Sequence, residues 1–113
     1  PQYKREMLVF DKELDVFSES CYTRQIIHFR NKETNKRYRA FAFNYYYGYL
    51  YDQTNYCVIY DINESKIKSI PLHFIQDIYM IKQKYTPSEK VIDLLQEYTD
   101  SCNFDKEIYA GEN

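Results

Sequence analysis

The 113-residue chain has no tryptophan, only two glycines, three prolines and three cysteines, and each shortage removes a class of chemistry. Gly48 and Gly111 stand alone, so no glycine-rich phosphate cradle of the Walker or dinucleotide type can form. Cys21, Cys57 and Cys102 are far apart, with no CxxC pair and no histidine close by in sequence. That spacing predicts no metal site and three free, buried thiols, which fit a reducing compartment. No apolar run is long enough for a membrane-crossing helix. The apolar patch after Pro1-Gln2-Tyr3-Lys4-Arg5-Glu6 is too short for a secretory leader. A cytoplasmic protein with no membrane partner is expected. Catalytic machinery is missing as well. His28 lies between Ile27 and Phe29, His73 follows Pro71-Leu72, and no glycine-flanked serine elbow accompanies them or Cys57. The expectation is a protein without catalysis and without a cofactor.

Tyrosine is what the chain has in excess, with 14 copies. Residues 45–51 read Tyr-Tyr-Tyr-Gly-Tyr-Leu-Tyr. In an extended strand Tyr45, Tyr47, Tyr49 and Tyr51 share one face. A phenol is flat and apolar with a polar tip, which suits half-wet platforms and interfaces. Charge is unevenly spread beside this run. Residues 24–39 carry +5, from Arg24, Arg30, Lys32, Lys36, Arg37 and Arg39 against Glu33, whereas residues 87–113 carry −5 and the whole chain −2. A local excess of +5 attracts phosphate even on a mildly acidic protein. The competing explanation is a solvated hairpin whose charges keep a sheet edge soluble.

The hydrophobic pattern predicts mostly short strands. Residues 7–17 alternate loosely and predict one or two strands. Residues 24–30 predict a clearer strand, with Ile27 and Phe29 on one face and Ile26 and His28 on the other. Asn31-Lys32-Glu33-Thr34-Asn35 supplies turn formers. Residues 36–43 resume as a strand, with Arg37, Arg39, Phe41 and Phe43 opposite Tyr38, Ala40 and Ala42. The tyrosine run continues as a strand bent at Gly48. Residues 56–60 and 66–72 predict two more strands around a turn at 61–65, with Pro71 at an edge, an end or a bulge. Residues 74–81 fit a helical turn followed by a strand as well as one strand. Residues 87–100 predict a helix, with Thr86 at the N-cap, Pro87 at N1 and Glu89 at N3. Val91, Ile92, Leu95 and Tyr98 form its apolar stripe, and Asp93, Glu97 and Asp100 its wet face.

The expected fold is therefore mainly β (α+β), a small, strongly curved antiparallel sheet or barrel with one C-terminal amphipathic helix. One domain spans 1–113: a barrel-like body at 1–86, the helix at 87–102 and an acidic tail at 103–113. Cations followed by flat rings are the two ingredients that single-stranded nucleic acid requires. The first functional expectation is a regulatory protein that binds RNA or single-stranded nucleic acid. Arg30, Lys32, Lys36, Arg37 and Arg39 would hold phosphates, and Tyr45, Tyr47, Tyr49 and Tyr51 would stack bases. The second is a protein-interaction module or inhibitor of a host protein, using tyrosine and arginine anchors or an acidic segment that imitates nucleic acid. The third is a small-ligand sensor. The pattern leaves the oligomeric state open.

Three short motifs carry a family resemblance over residues 26–81. Ile27-His28-Phe29-Arg30 looks like the aromatic-arginine strand that opens the WYL domain, a small Sm-like barrel of bacterial regulators. Asn55-Tyr56-Cys57-Val58-Ile59-Tyr60-Asp61 resembles its naming strand, with Tyr56 in the tyrosine place and Asn55 in the tryptophan place. Ile70-Pro71-Leu72-His73-Phe74-Ile75 resembles a later strand, with Phe74 where an arginine is expected. The resemblance implies nucleic-acid or nucleotide binding, and carries over Tyr56 and Arg30 as site residues. In outline the chain is also similar to PUA-like RNA-binding modules of plasmids and phages.

Overall fold

A computed structural model describes residues 12–47 and 55–101. Among these, five strands form one antiparallel sheet in the order β4-β3-β2-β1-β5. The strands are β1 (Gln25–Asn31), β2 (Arg37–Tyr47), β3 (Asn55–Asp61), β4 (Lys66–Pro71) and β5 (Ile75–Lys84). Two helices flank them, α1 (Lys12–Thr23) and α2 (Glu89–Ser101), and a short 3₁₀ turn at Leu72–Phe74 joins β4 to β5. The fold is thus mainly β with a C-terminal helix, as expected. No described helix is long and apolar enough to cross a membrane.

The second helix is a correction, because strands were expected across residues 7–17. Residues 12–17 instead open α1, and residues 7–11 lie outside the described residues. Leu14, Phe17 and Cys21 recur at helical spacing and pack toward the core. Glu13 and Asp15 sit in the first turn, where the helix dipole favours negative charge. Ser20 is buried and returns its hydroxyl to the Phe17 carbonyl at 2.8 Å. The helix ends at Arg24, which adopts a left-handed φ of 65° and donates its N–H to the Ser20 carbonyl at 2.8 Å. This is the geometry that usually recruits glycine after a helix.

Both sheet faces are covered. On one, Phe17 of α1 meets Ile27, Phe29, Ala40, Ala42, Cys57, Ile59, Ile75 and Ile78. On the other, Leu95 and Tyr98 of α2 meet Phe41 and Val58, flanked by Tyr46, Tyr60 and Tyr85. The alternation expected for β1 and the first half of β2 holds on this basis. Ser88, rather than Thr86, caps α2, since its hydroxyl accepts the Val91 N–H at 3.2 Å. Pro87 therefore precedes the cap instead of occupying the first turn.

Two hairpin turns lie at the same end of the sheet and share one design. Asn31 Oδ1 accepts the N–H groups of Glu33 and Thr34 at 2.8 and 3.3 Å, and Asp61 Oδ1 those of Asn63 and Glu64 at 3.0 and 3.1 Å. Each turn closes on a left-handed residue, Asn35 (φ 63°) or Ser65 (φ 56°). Side chains that mimic a backbone turn replace the missing glycines. Pro71 ends β4 on an outer edge, where a lost donor breaks no ladder. The outer strands β4 and β5 are separated by only Leu72–Phe74, so the two sheet edges lie within about 14 Å of each other at that join.

Candidate nucleic-acid interface

Strand register gathers a polar surface on the α2 side of β5, β1 and β2. His28 lies opposite Arg39 on β2 and Tyr79 on β5, and Arg30 lies opposite Arg37 and Gln76. His28 Nδ1 is 3.1 Å from the Tyr79 hydroxyl, and the two rings meet edge-on at 5.3 Å. The other ring nitrogen, Nε2, sits 3.5 Å from Arg39 Nη1. A bond from the guanidinium, which only donates, would need Nε2 as acceptor, with Nδ1 then donating to the tyrosine oxygen. The hydroxyl hydrogen of Tyr79 then remains to be donated outward. Arg39 Nη2 also reaches Gln83 Oε1 at 3.4 Å. Tyr79 is 52% exposed, which leaves much of its ring open to solvent.

Arg30 has a different job. Its Nη2 and Nε approach Asp77 Oδ2 at 3.1 and 3.3 Å, and its Nη1 donates to Asn35 Oδ1 at 3.0 Å. Both partners have left-handed backbones, with φ of 57° at Asp77 and 63° at Asn35. Asp77 also sits at an irregularity in the β1–β5 register. One guanidinium thereby ties the β1–β2 turn to a bulge in β5, and its charge is locally neutralised. Arg37 faces Arg30 across the ladder without an anionic partner among the described residues. Like charges directly opposite each other repel, and Asp77 relieves only the Arg30 side. Lys32 is exposed in the adjoining turn.

Lys36 belongs to the opposite face. It pairs with Glu64, and its ammonium lies 5.0 Å from the centre of the Tyr38 ring. Lys68 takes the same ring at 5.1 Å while bonding Asp61 Oδ2 at 3.2 Å and Glu64 Oε1 at 2.9 Å. Tyr38 in turn stacks on Phe29, with centroids 4.8 Å apart. Hydrogen bonds from Lys36 and then Lys68 hold the Glu64 carboxyl down to about 2, from an ordinary 4.5. Burial opposes the charge of Lys68, but its bonds to Glu64 and Asp61 prevail and raise it above an ordinary lysine. In the unfolded chain Glu64 takes up its proton at higher pH than in the native state. Stability from this carboxylate is therefore present above pH 4.5 and is lost as pH falls toward 2. Urea midpoints measured across that window should fall less steeply for Glu64→Gln than for the parent chain.

The tyrosines do not join the guanidiniums as the simple alternation implied. Arg37, Arg39, Phe41 and Phe43 keep one parity, but the β2–β3 register shifts between Ala42 and Asn44. A bulge inserts one residue and exchanges the faces of everything after it. Tyr46 consequently packs on the α2 side, and Tyr45 meets Phe17 of α1 edge-on at 6.4 Å. Tyr45 is 40% exposed but looks away from Arg37 and Arg39. Tyr56 is buried and stacks on Tyr46 at 5.4 Å, so its ring serves the core. The backbone of Tyr47 continues β2, while Tyr49 and Tyr51 lie outside the described residues.

Three surface residues escaped the sequence reading: Tyr79, Gln83 and Asp77, all on β5. The ambiguous period of residues 74–81 hid Tyr79 and Asp77, and Gln83 lies just past that stretch. Read as one strand, Tyr79 falls opposite the apolar Ile78 and Met80, and that alternation was the available signal. Among the described residues no cluster of three or more histidine, cysteine or acidic side chains is placed to hold a metal ion. No protein-family model and no curated protein matches this chain.

Proposed function

We propose that this chain is a small, non-catalytic regulatory domain that binds RNA or single-stranded nucleic acid. Arg37 and Arg39 hold phosphates, Lys32 extends the track, and a base stacks on Tyr79. The observation that carries this reading is the register that puts three guanidiniums and one exposed phenol on the same side of β5, β1 and β2. Arg37 and Arg39 are the central elements, because neither has an anionic partner among the described residues and a phosphate would balance their charge. The resemblance to WYL and Sm-like barrels supports the same reading, since the stretch bearing it runs from β1 into β5.

The test is fluorescence anisotropy with a labelled single strand of about ten nucleotides, within the usual site size of one small barrel. Tyr79→Ala should weaken binding about five- to 150-fold, the worth of one stacked base at roughly 1–3 kcal/mol. Arg37→Ala with Arg39→Ala should lower the slope of log affinity against log salt by about 1.4, or roughly 0.7 per phosphate contact. Affinity and slope unchanged by these substitutions would end the assignment.

A second reading is favoured by α2. Leu94 is 43% exposed beside the exposed acids Asp93 and Glu97. An apolar anchor flanked by two acids suits a basic protein partner. Retention of a basic partner by the parent chain but not by Leu94→Asp, with no RNA affinity in the anisotropy assay, would select this alternative.

A further inference from the structure

On the other side of the β1–β2 hairpin lies a cavity of about 230 Å³. Its walls are Asn31 at the end of β1, Tyr38 on β2, Lys68–Pro71 on β4 and Phe74 in the 3₁₀ turn. It therefore occupies the join at which the two sheet edges approach each other. The Lys32 N–H donates to the Phe74 carbonyl at 2.8 Å and ties that turn to the hairpin.

Asn31 is the telling residue. It is only 8% exposed. Its Oδ1 is committed to two backbone N–H groups of the turn, which fixes the orientation of the amide. Its Nδ2 has no hydrogen-bond partner among the described residues. A buried donor without a partner is costly, and each such group in a native fold calls for an acceptor. Lys68 adds a second donor, because Asp61 and Glu64 take two of its three ammonium hydrogens. The charges nearby cancel, with Lys36 and Lys68 against Asp61 and Glu64, so an ionised ligand gains no net field. Phe74, Ile70 and Pro71 supply apolar wall. The volume is below that of drug-sized sites and suits one or two fused rings.

We infer that this cavity binds a neutral, planar, carbonyl-bearing heterocycle of nucleobase size, with Asn31 Nδ2 and Lys68 Nζ donating to its carbonyl oxygen. The site is separate from the Arg37–Arg39 surface and does not depend on it. Uncharged nucleosides contain no phosphate for Arg37 and Arg39, and shifts at the cavity amides separate binding here from stacking on Tyr79.

The experiment is a ¹⁵N-¹H titration of the whole chain with uridine, inosine and adenosine, of which only adenosine lacks a ring carbonyl. Saturable shifts are expected for uridine or inosine at the Asn31 side-chain amide and at the backbone amides of Lys68, Ser69 and Phe74. Adenosine should bind at least about tenfold more weakly, the value of one good hydrogen bond. Asn31→Asp keeps the turn-capping oxygen but replaces the free donor with a charged acceptor, and it should weaken uridine and inosine binding by at least a similar factor. Phe74→Leu, which leaves the hairpin alone, should weaken binding too. Arg37→Ala should leave all three titrations unchanged. Absence of saturable shifts at these amides overturns the inference, as does equal binding of adenosine or full binding by Asn31→Asp with a native spectrum. None of those results bears on the oligonucleotide assay.

Discussion

Phe17→Ala should cost about 3–5 kcal/mol, the range for deleting a fully buried phenyl ring from a packed core. Phe17 has 0% exposure and is the largest buried side chain on α1. The other buried residue of that helix, Ser20, spends its hydroxyl on the Phe17 carbonyl and adds no apolar grip. Ala40 and Ala42 lie on the same face of the central strand β2, and their short side chains leave room for the ring. Ile27, Phe29 and Ile59 of the same cluster are themselves fully buried and have little freedom to refill the space. A small domain has roughly 5–15 kcal/mol in total, so this loss is a large part of its stability. Urea unfolding of the variant should show a lower midpoint at an unchanged slope. Hydrogen exchange should show α1 losing protection before the sheet does. A loss under about 1 kcal/mol would mean that α1 is held by something other than this ring.

The same helix shows where sequence reading reaches its limit. Over so short a window Val16 fits alternation with Leu14, and Phe17 fits helical spacing from it. What separates the two is long-range: the helix forms because β2 presents two alanines that need a cover. By contrast, β1, β3 and β4 were legible because β-branched and aromatic residues alternate between strong turn formers. The two hairpin turns were legible for the same reason, since Asn31 and Asp61 announce turns through their own side-chain chemistry. Their left-handed closing residues were not, in a chain with so few glycines.

The surface was legible in composition and not in arrangement. The cationic hairpin is real, yet two of its five expected phosphate ligands are already paired. Arg30 finds Asp77, 47 residues away, and Lys36 finds Glu64, 28 residues away. Neither partner can be read from local pattern. The bulge between Ala42 and Asn44 has no glycine to advertise it, and it turns Tyr45 to the far side of the sheet from Arg37 and Arg39. The ring that does stand beside the guanidiniums is Tyr79, brought there by β5 crossing to pair with β1.

Asp61→Ala should destabilise the domain by about 3 kcal/mol, the lower end for stripping one partner from a buried ion pair. The Asp61 side chain is 3% exposed and that of Lys68 15%. Two kinds of bond are lost together. Oδ1 caps the N–H groups of Asn63 and Glu64, and Oδ2 holds the Lys68 ammonium at 3.2 Å. Lys68 retains Glu64 at 2.9 Å, which is why the lower end applies. Asp61→Asn separates the two contributions. Its remaining oxygen still caps the turn, but its amide nitrogen replaces the charged acceptor and turns a donor toward the ammonium. It should cost about 1–3 kcal/mol, the price of a lost charged hydrogen bond. Adding Lys68→Met to Asp61→Asn removes the ammonium left short of an acceptor and puts a flexible apolar chain over Tyr38. The double variant should therefore be more stable than Asp61→Asn alone, by chemical denaturation at neutral pH. If Lys68→Met instead makes Asp61→Asn worse, the unpaired charge is not the source of the loss, and the turn bonds of Asp61 account for its burial.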